Sequence, residues 1–152
     1  MAALFDEFTS IVNALNDAKI DYAVCGGMAM AIHGFTRATV DIDVLILESD
    51  LERIWQLAKD LGYEVEGLPL SLHGGAIEIR RISKVEPVYK DLITLDCLLV
   101  TEALQDIWNE RERMHLNELD VVTVSKTGLI KLKKMAGRTQ DLADIENLSN
   151  ER

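Results

Sequence analysis

Several features are scarce in this 152-residue sequence, and each scarcity excludes a class of protein. No apolar run approaches the ~20 residues of a membrane-spanning helix, and the chain does not open on a basic stretch followed by an apolar one. We therefore expect a cytoplasmic protein that makes no membrane contact. Bases are also few: 16 Lys and Arg against 26 Asp and Glu give a net charge of −10, which disfavours broad binding along a DNA backbone.

Cysteine is equally scarce, with Cys25 and Cys97 the two in the chain. A disulfide between them is open in principle, but both lie in apolar, strand-like segments and we favour buried free thiols. Neither belongs to a pair with the spacing of a metal or redox site. The length and an apolar content of 48% predict one domain over residues 1–152, with C-terminal helices at 125–148 packed on it.

The apolar periodicity predicts an α/β (α+β) domain. We expect a mixed sheet of four to six strands, with helices mainly on one face. Glycine-rich residues 67–75 predict a mobile loop that borders a substrate pocket. The predicted helices cover residues 4–19, 28–33, 50–61, 101–110 and 125–136. The main predicted strands cover residues 22–25, 40–47, 76–83 and 92–100, followed by a hairpin over 112–124.

Residues 26–47 contain the most informative pattern. Gly26 and Gly27 end an apolar strand and permit a sharp turn and the close approach of a ligand. Asp41 and Asp43 lie on the next apolar strand, and alternation places both carboxylates on one face, with Cα atoms roughly 6.5 Å apart. Two acids so close repel each other, and a hard divalent cation is the partner that favours oxygen ligands at this spacing.

These residues resemble a known superfamily. Two glycines, thirteen residues and then Asp-Ile-Asp are similar to the nucleotidyltransferase signature, whose fold is that of DNA polymerase beta. The fuller string, GG-x-A-x-A-x-H-G-x-x-R-A-T-x-D-I-D, resembles the small bacterial nucleotidyltransferase-like proteins related to AbiEii toxins. The segment LIKLKKMAGRTQDLADIENL resembles the C-terminal part of the same branch, with Thr139 where that branch often has proline.

The resemblance implies a third carboxylate on a later strand beside the Asp-x-Asp strand. Asp96 is the matching position, because an acid inside the apolar run LITLDCLLV needs a partner, and Asp91 at the start of that strand is the alternative. The implied catalytic and metal-binding residues are Asp41, Asp43 and Asp96, with Mg²⁺ or Mn²⁺ as the cation. The implied nucleotide-binding residues are Gly26, Gly27, Arg37, Lys133 and Arg138.

Two of these cations have a second interpretation. Arg37 suits either phosphate oxygens or a salt bridge to Asp41 or Asp43. Lys133 falls within the apolar arc of its predicted helix, so it must extend to solvent or meet an anion. That anion is either a phosphate, the carboxylate cluster, or Asp141 in a buried ion pair.

The implied activity is the transfer of a nucleoside monophosphate from a nucleoside triphosphate, such as ATP, to a hydroxyl acceptor. The acceptor is an RNA end such as that of tRNA, a small molecule or a protein, and the toxin-related branch also implies an antitoxin partner. Two alternatives compete with this hypothesis. One is a non-catalytic protein of the same fold that binds a nucleotide or a partner, and the other is a structural protein whose acids form salt bridges with Arg37, Lys133 and Arg138.

Overall fold

A computed structural model describes residues 2–35 and 41–150 of the chain. Its helices are α1 (Ala2–Asp17), α2 (Gly26–Ile32), α3 (Leu51–Asp60), α4 (Gln105–Asn109), α5 (Lys126–Ala136) and α6 (Thr139–Ser149). Its strands are β1 (Tyr22–Cys25), β2 (Asp41–Ile46), β3 (Val65–Glu66), β4 (Leu70–Leu72), β5 (Ile77–Val85), β6 (Leu92–Leu99), β7 (Glu112–Leu116) and β8 (Leu119–Thr123). None of the helices in this described part has the length and apolar content needed to cross a membrane.

The strands of the described residues form one mixed sheet in the order β3-β5-β6-β2-β1-β8-β7, with β4 paired to β5. At its centre β2 runs parallel to β6 and antiparallel to β1, and β1 in turn runs parallel to β8. The predicted α/β class is therefore confirmed.

The sheet has eight strands rather than the expected four to six. The difference comes largely from β3 and β4, which extend the β5 edge with two and three residues. A short strand is expected from the sequence at residues 63–65, next to β3, whereas all three side chains of β4 are exposed and give no alternation between buried and exposed positions for a sequence pattern to reveal. Strand β4 also lies inside residues 67–75, where the glycine content predicted a loop.

The core fills the space around the central strands. Side chains of β1, β2 and β6 such as Val24, Val44 and Leu95 are at most 1% exposed, and α1 adds Phe8 and Val12 at 0%. Burial of this β-branched and aliphatic surface is the main favourable term for folding. The apolar strand patterns thus become the buried centre of the sheet, as predicted.

Both cysteines belong to this core. Cys25 and Cys97 are buried free thiols, as expected, and burial raises the pKa of each. A thiol with a raised pKa stays protonated at neutral pH and is a poor nucleophile. The cysteines are therefore packing residues.

Helix α5 is capped at both ends. Ser125 accepts a hydrogen bond from the Gly128 amide at 3.0 Å, and Gly137 ends the helix with a φ of +68°.

Helices α5 and α6 are joined by a buried ion pair. Lys133 of α5 is 5% exposed and reaches Asp144 of α6 at 2.9 Å. Asp141, the partner considered from the sequence, lies farther from the Lys133 ammonium at 3.6 Å.

We predict that Asp144→Asn destabilises the fold by about 3 kcal/mol, because it leaves the buried Lys133 ammonium without its nearest counter-charge. Glu146→Gln on the same helix is the matched control: its side chain is exposed, and a change within about 0.5 kcal/mol is expected. Urea unfolding of both variants measures the difference. Equal stabilities would show that this ion pair does not hold α6 on α5.

Candidate active site

A cavity of about 530 Å³ opens at the face of the sheet that carries the acids. Its walls come from β1, β2, β5 and β6 and from helix α5. Seven of the eight predicted site residues line it, and Arg37 lies outside the described residues. The seven are Gly26, Gly27, Asp41, Asp43, Asp96, Lys133 and Arg138. Leu72 and His73, from the segment predicted as a loop, also line it.

The strand register places the acids next to each other. Asp43 of β2 pairs with Asp96 of the parallel strand β6 and with Cys25 of β1, and Asp96 pairs with Arg81 of β5. Directly paired residues point to the same face of a sheet, so these four side chains form one row across four strands. Asp41 lies two residues before Asp43 and shares that face.

Asp96 is held by Arg81, a residue that sequence reasoning missed. The Arg81 guanidinium donates two hydrogen bonds to the carboxylate, from Nε to Oδ1 at 2.7 Å and from Nη2 to Oδ2 at 2.8 Å. Asp96 is only 4% exposed, whereas the alternative candidate Asp91 is exposed. Asp96 is therefore the acid that faces Asp43.

The missed signal is the pair of adjacent arginines in β5. Alternation along β5 places Glu78 and Arg80 on one face of the strand. That face is opposite to the one carrying Arg81, and Arg81 is the arginine that lines the cavity. The interruption of an apolar strand by two arginines was visible, but which arginine faces the acids depends on the pairing between β5 and β6.

The acids perturb each other. Burial first, and then the charges of Asp96 and Asp41, raise the pKa of Asp43 to about 7. Burial and the charge of Asp96 also raise the pKa of Asp41. Arg81 opposes both increases without cancelling them. Loss of hydration on burial is therefore the main physical cause, and repulsion between like charges on β2 and β6 adds to it.

A divalent cation fits the donor pair Asp41 and Asp43. Both are oxygen ligands and both line the cavity, and a cation there would offset the burial and the mutual repulsion that raise the pKa of each carboxyl. The predicted set of three carboxylates is not assembled: within residues 2–35 and 41–150, no group of three acid, His or Cys side chains is arranged to hold a metal ion. Asp96 instead directs both oxygens at Arg81.

Gly26 permits the close packing of the turn against β2. Helix α2 begins at Gly26 rather than at the predicted Met28, and Gly26 has a left-handed φ of +66°. A Cβ atom there would collide with the Asp43 carboxylate. The glycine is thus required both by its backbone angle and by the space that Asp43 occupies.

The predicted cations differ in how firmly they are engaged. Lys133 is buried between Asp144 and Asp141. Arg138 donates from Nε to Asp141 Oδ2 at 2.7 Å and from Nη2 to Oδ1 at 3.2 Å, with its side chain 70% exposed. Its outer surface therefore remains accessible from the cavity.

The sequence matches a family model described as "Nucleotidyltransferase of unknown function (DUF6036)" over residues 1–150. The chain belongs to this nucleotidyltransferase family. The predicted resemblance to the nucleotidyltransferase superfamily is confirmed, and the AbiEii-related branch stays a prediction. Among curated protein sequences, none matches this chain significantly.

Solved structures show the same fold at low sequence identity. The lincosamide antibiotic adenylyltransferase LnuA, solved with lincomycin bound, is 15% identical, with a TM-score of 0.60 over 92% of each chain. The antibiotic-resistance factor ANT(2'')-Ia is 16% identical, with a TM-score of 0.66 over 95% of this chain and 83% of its own. A candidate nucleotidyltransferase from Thermotoga maritima is 13% identical, with a TM-score of 0.62 over 93% of this chain and 89% of its own.

We predict that Gly26→Ala costs more stability than Gly34→Ala. Both glycines have a left-handed φ, +66° and +95°, so both variants incur backbone strain of about 1–2 kcal/mol. Within the described part of the chain and apart from its sequence neighbours, no atom lies within 4 Å of a Cβ placed at Gly34, whereas a Cβ at Gly26 meets Asp43. Thermal unfolding of both variants tests this, and equal losses would mean that Asp43 does not pack against the turn.

We predict that Asp43→Asn stabilises the cation-free protein at pH 8 and has little effect near pH 4. The folded-state pKa of about 7 exceeds the ordinary 3.8, so the native chain binds more protons than the unfolded chain between these values. Stability is therefore lost as pH rises through this window, and asparagine avoids the loss. Because one pKa unit corresponds to about 1.4 kcal/mol, the gain at pH 8 is on the order of 4 kcal/mol.

Urea unfolding in a chelating buffer at pH 4, 6 and 8 measures this difference. A pH-independent effect of the substitution, or a variant less stable than the native chain at pH 8, would contradict the raised pKa.

Proposed function

We propose that this chain transfers a nucleoside monophosphate from a nucleoside triphosphate to a hydroxyl acceptor, with the help of a divalent cation. The observation that carries the proposal is the joint placement of Asp41 and Asp43, repelling each other, in one cavity of a nucleotidyltransferase-family chain. That cavity also contains the glycine turn and the cations Lys133 and Arg138.

Asp41 and Asp43 are the residues that would hold Mg²⁺ or Mn²⁺. Such a cation, when bound, neutralises charge on the phosphate oxygens and on the departing pyrophosphate. The two acids lie on a central strand of the sheet, where β6 pairs with both positions and β1 also pairs with Asp43, which fixes their backbone.

The reaction follows from the chemistry of the substrate. An acceptor hydroxyl oxygen forms a bond to the α-phosphorus, and the bond from that phosphorus to the bridging oxygen of pyrophosphate breaks. The hydroxyl proton passes to a carboxylate at the cavity, and Asp96 is the predicted acceptor of that proton. The products are the nucleotidylated acceptor and pyrophosphate.

The remaining predicted residues would orient the triphosphate. Arg138 is the most accessible cation, with a fork of donors suited to phosphate oxygens. Lys133 adds positive charge from the wall of the cavity. Gly26 and Gly27 let backbone approach closely at the cavity edge, and Arg37 remains a predicted phosphate ligand or salt-bridge partner.

A small molecule is the acceptor we favour over an RNA end or a protein. The net charge of −10 opposes contact with a long phosphate backbone. Structural neighbours include an adenylyltransferase with lincomycin bound and ANT(2'')-Ia in complex with adenylyl-2''-tobramycin. ATP is accordingly the first donor to test. An antitoxin partner, a cytoplasmic location and a single domain over 1–152 stay predictions.

A non-catalytic nucleotide-binding or partner-binding protein of the same fold is the second candidate. The specific observation in its favour is that Arg81 bonds both oxygens of Asp96, so the three acids do not form one ligand set among the described residues. A protein that binds nucleotide without transferring it needs no such set.

We predict that one nucleoside triphosphate raises the melting temperature only when Mg²⁺ or Mn²⁺ is present. At a free concentration 100 times the Kd, binding adds about 2.7 kcal/mol, which is several degrees for a chain of this size. The double variant Asp41→Asn/Asp43→Asn should lose the shift, because it lacks the cation ligands. Asp91→Asn, an exposed acid near the start of β6, should retain it.

Pyrophosphate release from the stabilising nucleotide, assayed with hydroxyl-bearing acceptors, then separates the two candidates. Nucleotide stabilisation without turnover for any acceptor would favour the non-catalytic protein. A shift that is equal without a cation, or equal in the double variant, would overturn the proposed site.

A further inference from the structure

The bond between Arg81 and Asp96 differs from those of Lys133 and Arg138 at the same cavity in that it links two strands of the sheet. It joins neighbouring strands through two short hydrogen bonds, and its acid is buried while 42% of the Arg81 side chain is exposed. The Arg81 guanidinium thus bonds Asp96 while part of the same side chain stays exposed at the cavity. Lys133, by contrast, lies between two acids with only 6% of its side chain exposed.

The geometry points to Arg81 as a residue that holds Asp96 away from the cation site until a nucleotide binds. We call this role a latch, and the inference rests on the proposed function. In the nucleotide-free chain the guanidinium engages both oxygens of Asp96 and keeps this acid out of the cation site. When a nucleoside triphosphate and its cation arrive, Arg81 exchanges the carboxylate for phosphate oxygens, and Asp96 turns to the cation beside Asp41 and Asp43. Arg81 is a positioning residue for Asp96 before this exchange and a phosphate ligand after it.

The register supports the exchange. Arg81, Asp96 and Asp43 occupy consecutive positions of one cross-strand row, so Asp96 lies between the guanidinium and the other acids. A change of side-chain rotamer at Asp96 is enough to change its partner, with both backbones in place. No strand needs to move, which suits a residue at 4% exposure in the centre of a sheet.

The chemistry of the guanidinium supports it as well. Phosphate and carboxylate both accept two parallel hydrogen bonds from the fork of an arginine, so the exchange never leaves this charge without a partner. Asp96 in turn exchanges a monovalent partner for a divalent one. The open side of Arg81 faces the cavity in which the triphosphate is proposed to lie.

If the salt bridge is purely structural, the expected effect of removing Arg81 is different. If Arg81 only tied β5 to β6, its removal would weaken the sheet and leave cation binding unchanged. If Arg81 is a latch, its removal releases Asp96, adds a third ligand to the pair Asp41 and Asp43, and tightens cation binding. At the same time it removes a phosphate ligand and weakens nucleotide binding.

A titration with Mn²⁺ in the absence of nucleotide tests the inference. The electron paramagnetic resonance signal of free Mn²⁺ reports how much of the ion is bound. Arg81→Gln should bind Mn²⁺ at least tenfold more tightly than the native chain. The gain should disappear in Arg81→Gln/Asp96→Asn. Arg80→Gln is the matched control, because it removes the same charge from the adjacent position on the opposite face, where Arg80 bonds Ile79 and lies near Glu78.

A second titration measures nucleotide affinity at saturating Mn²⁺, with the triphosphate that stabilises the native chain or, if none does, with ATP. Arg81→Gln should bind it several-fold more weakly, the opposite sign to its effect on the cation alone. Arg81→Lys keeps the charge without the fork and should show the same two changes to a smaller extent. It also replaces Arg81→Gln if that variant does not fold, as judged by its thermal unfolding.

Each outcome has a distinct meaning. Mn²⁺ affinity in Arg81→Gln equal to that of Arg80→Gln, or a gain that persists without the Asp96 carboxylate, overturns the latch. The proposed cation site is overturned separately, if the native chain and Asp41→Asn/Asp43→Asn bind Mn²⁺ equally. Absence of Mn²⁺ binding in every variant overturns both.

Discussion

Repulsion among carboxylates on two adjacent parallel strands is the constraint around which this site is built. The register of β2 and β6 places Asp43 directly beside Asp96, and alternation adds Asp41 to the same face. Burial weakens the screening that water would provide, so the pKa of Asp43 rises to about 7. Gly26 accommodates the Asp43 carboxylate by having no Cβ, and Arg81 holds Asp96 on the other side.

The cations around the acids are divided by burial. Lys133 is enclosed by Asp144 and Asp141 and joins α5 to α6, so its charge is committed to the fold. Arg138 and Arg81 are each bound to one acid through two donors, with 70% and 42% of their side chains exposed. These two can exchange a carboxylate for another bidentate anion, which the enclosed lysine cannot do at comparable cost.

The structural features and site residues that depend on local spacing could be predicted from the sequence. The face shared by Asp41 and Asp43, the choice of Asp96 over Asp91 as the acid facing them, and the extent of α5 follow from alternation, apolar context and helical periodicity. Arg81 could not be found in this way, because its contact with Asp96, fifteen residues away in the sequence, depends on the register between two strands. Strand β4 is exposed throughout and has no alternation of buried and exposed residues that would identify it. Arg37 lies outside the described residues, so both of its interpretations stay predictions.

The charge around the cavity favours a ligand site over a purely structural network. Among the described residues that line it are four acids and three bases, and a fifth acid, Asp144, bonds the lysine. The acids are Asp41, Asp43, Asp96, Asp141 and Asp144, and the bases are Arg81, Lys133 and Arg138. A network built only for stability would balance these charges or replace the buried ones with apolar side chains, since buried charges are costly even when paired. The fold instead keeps a local excess that one divalent cation would neutralise, and such retained costs are typical of functional sites.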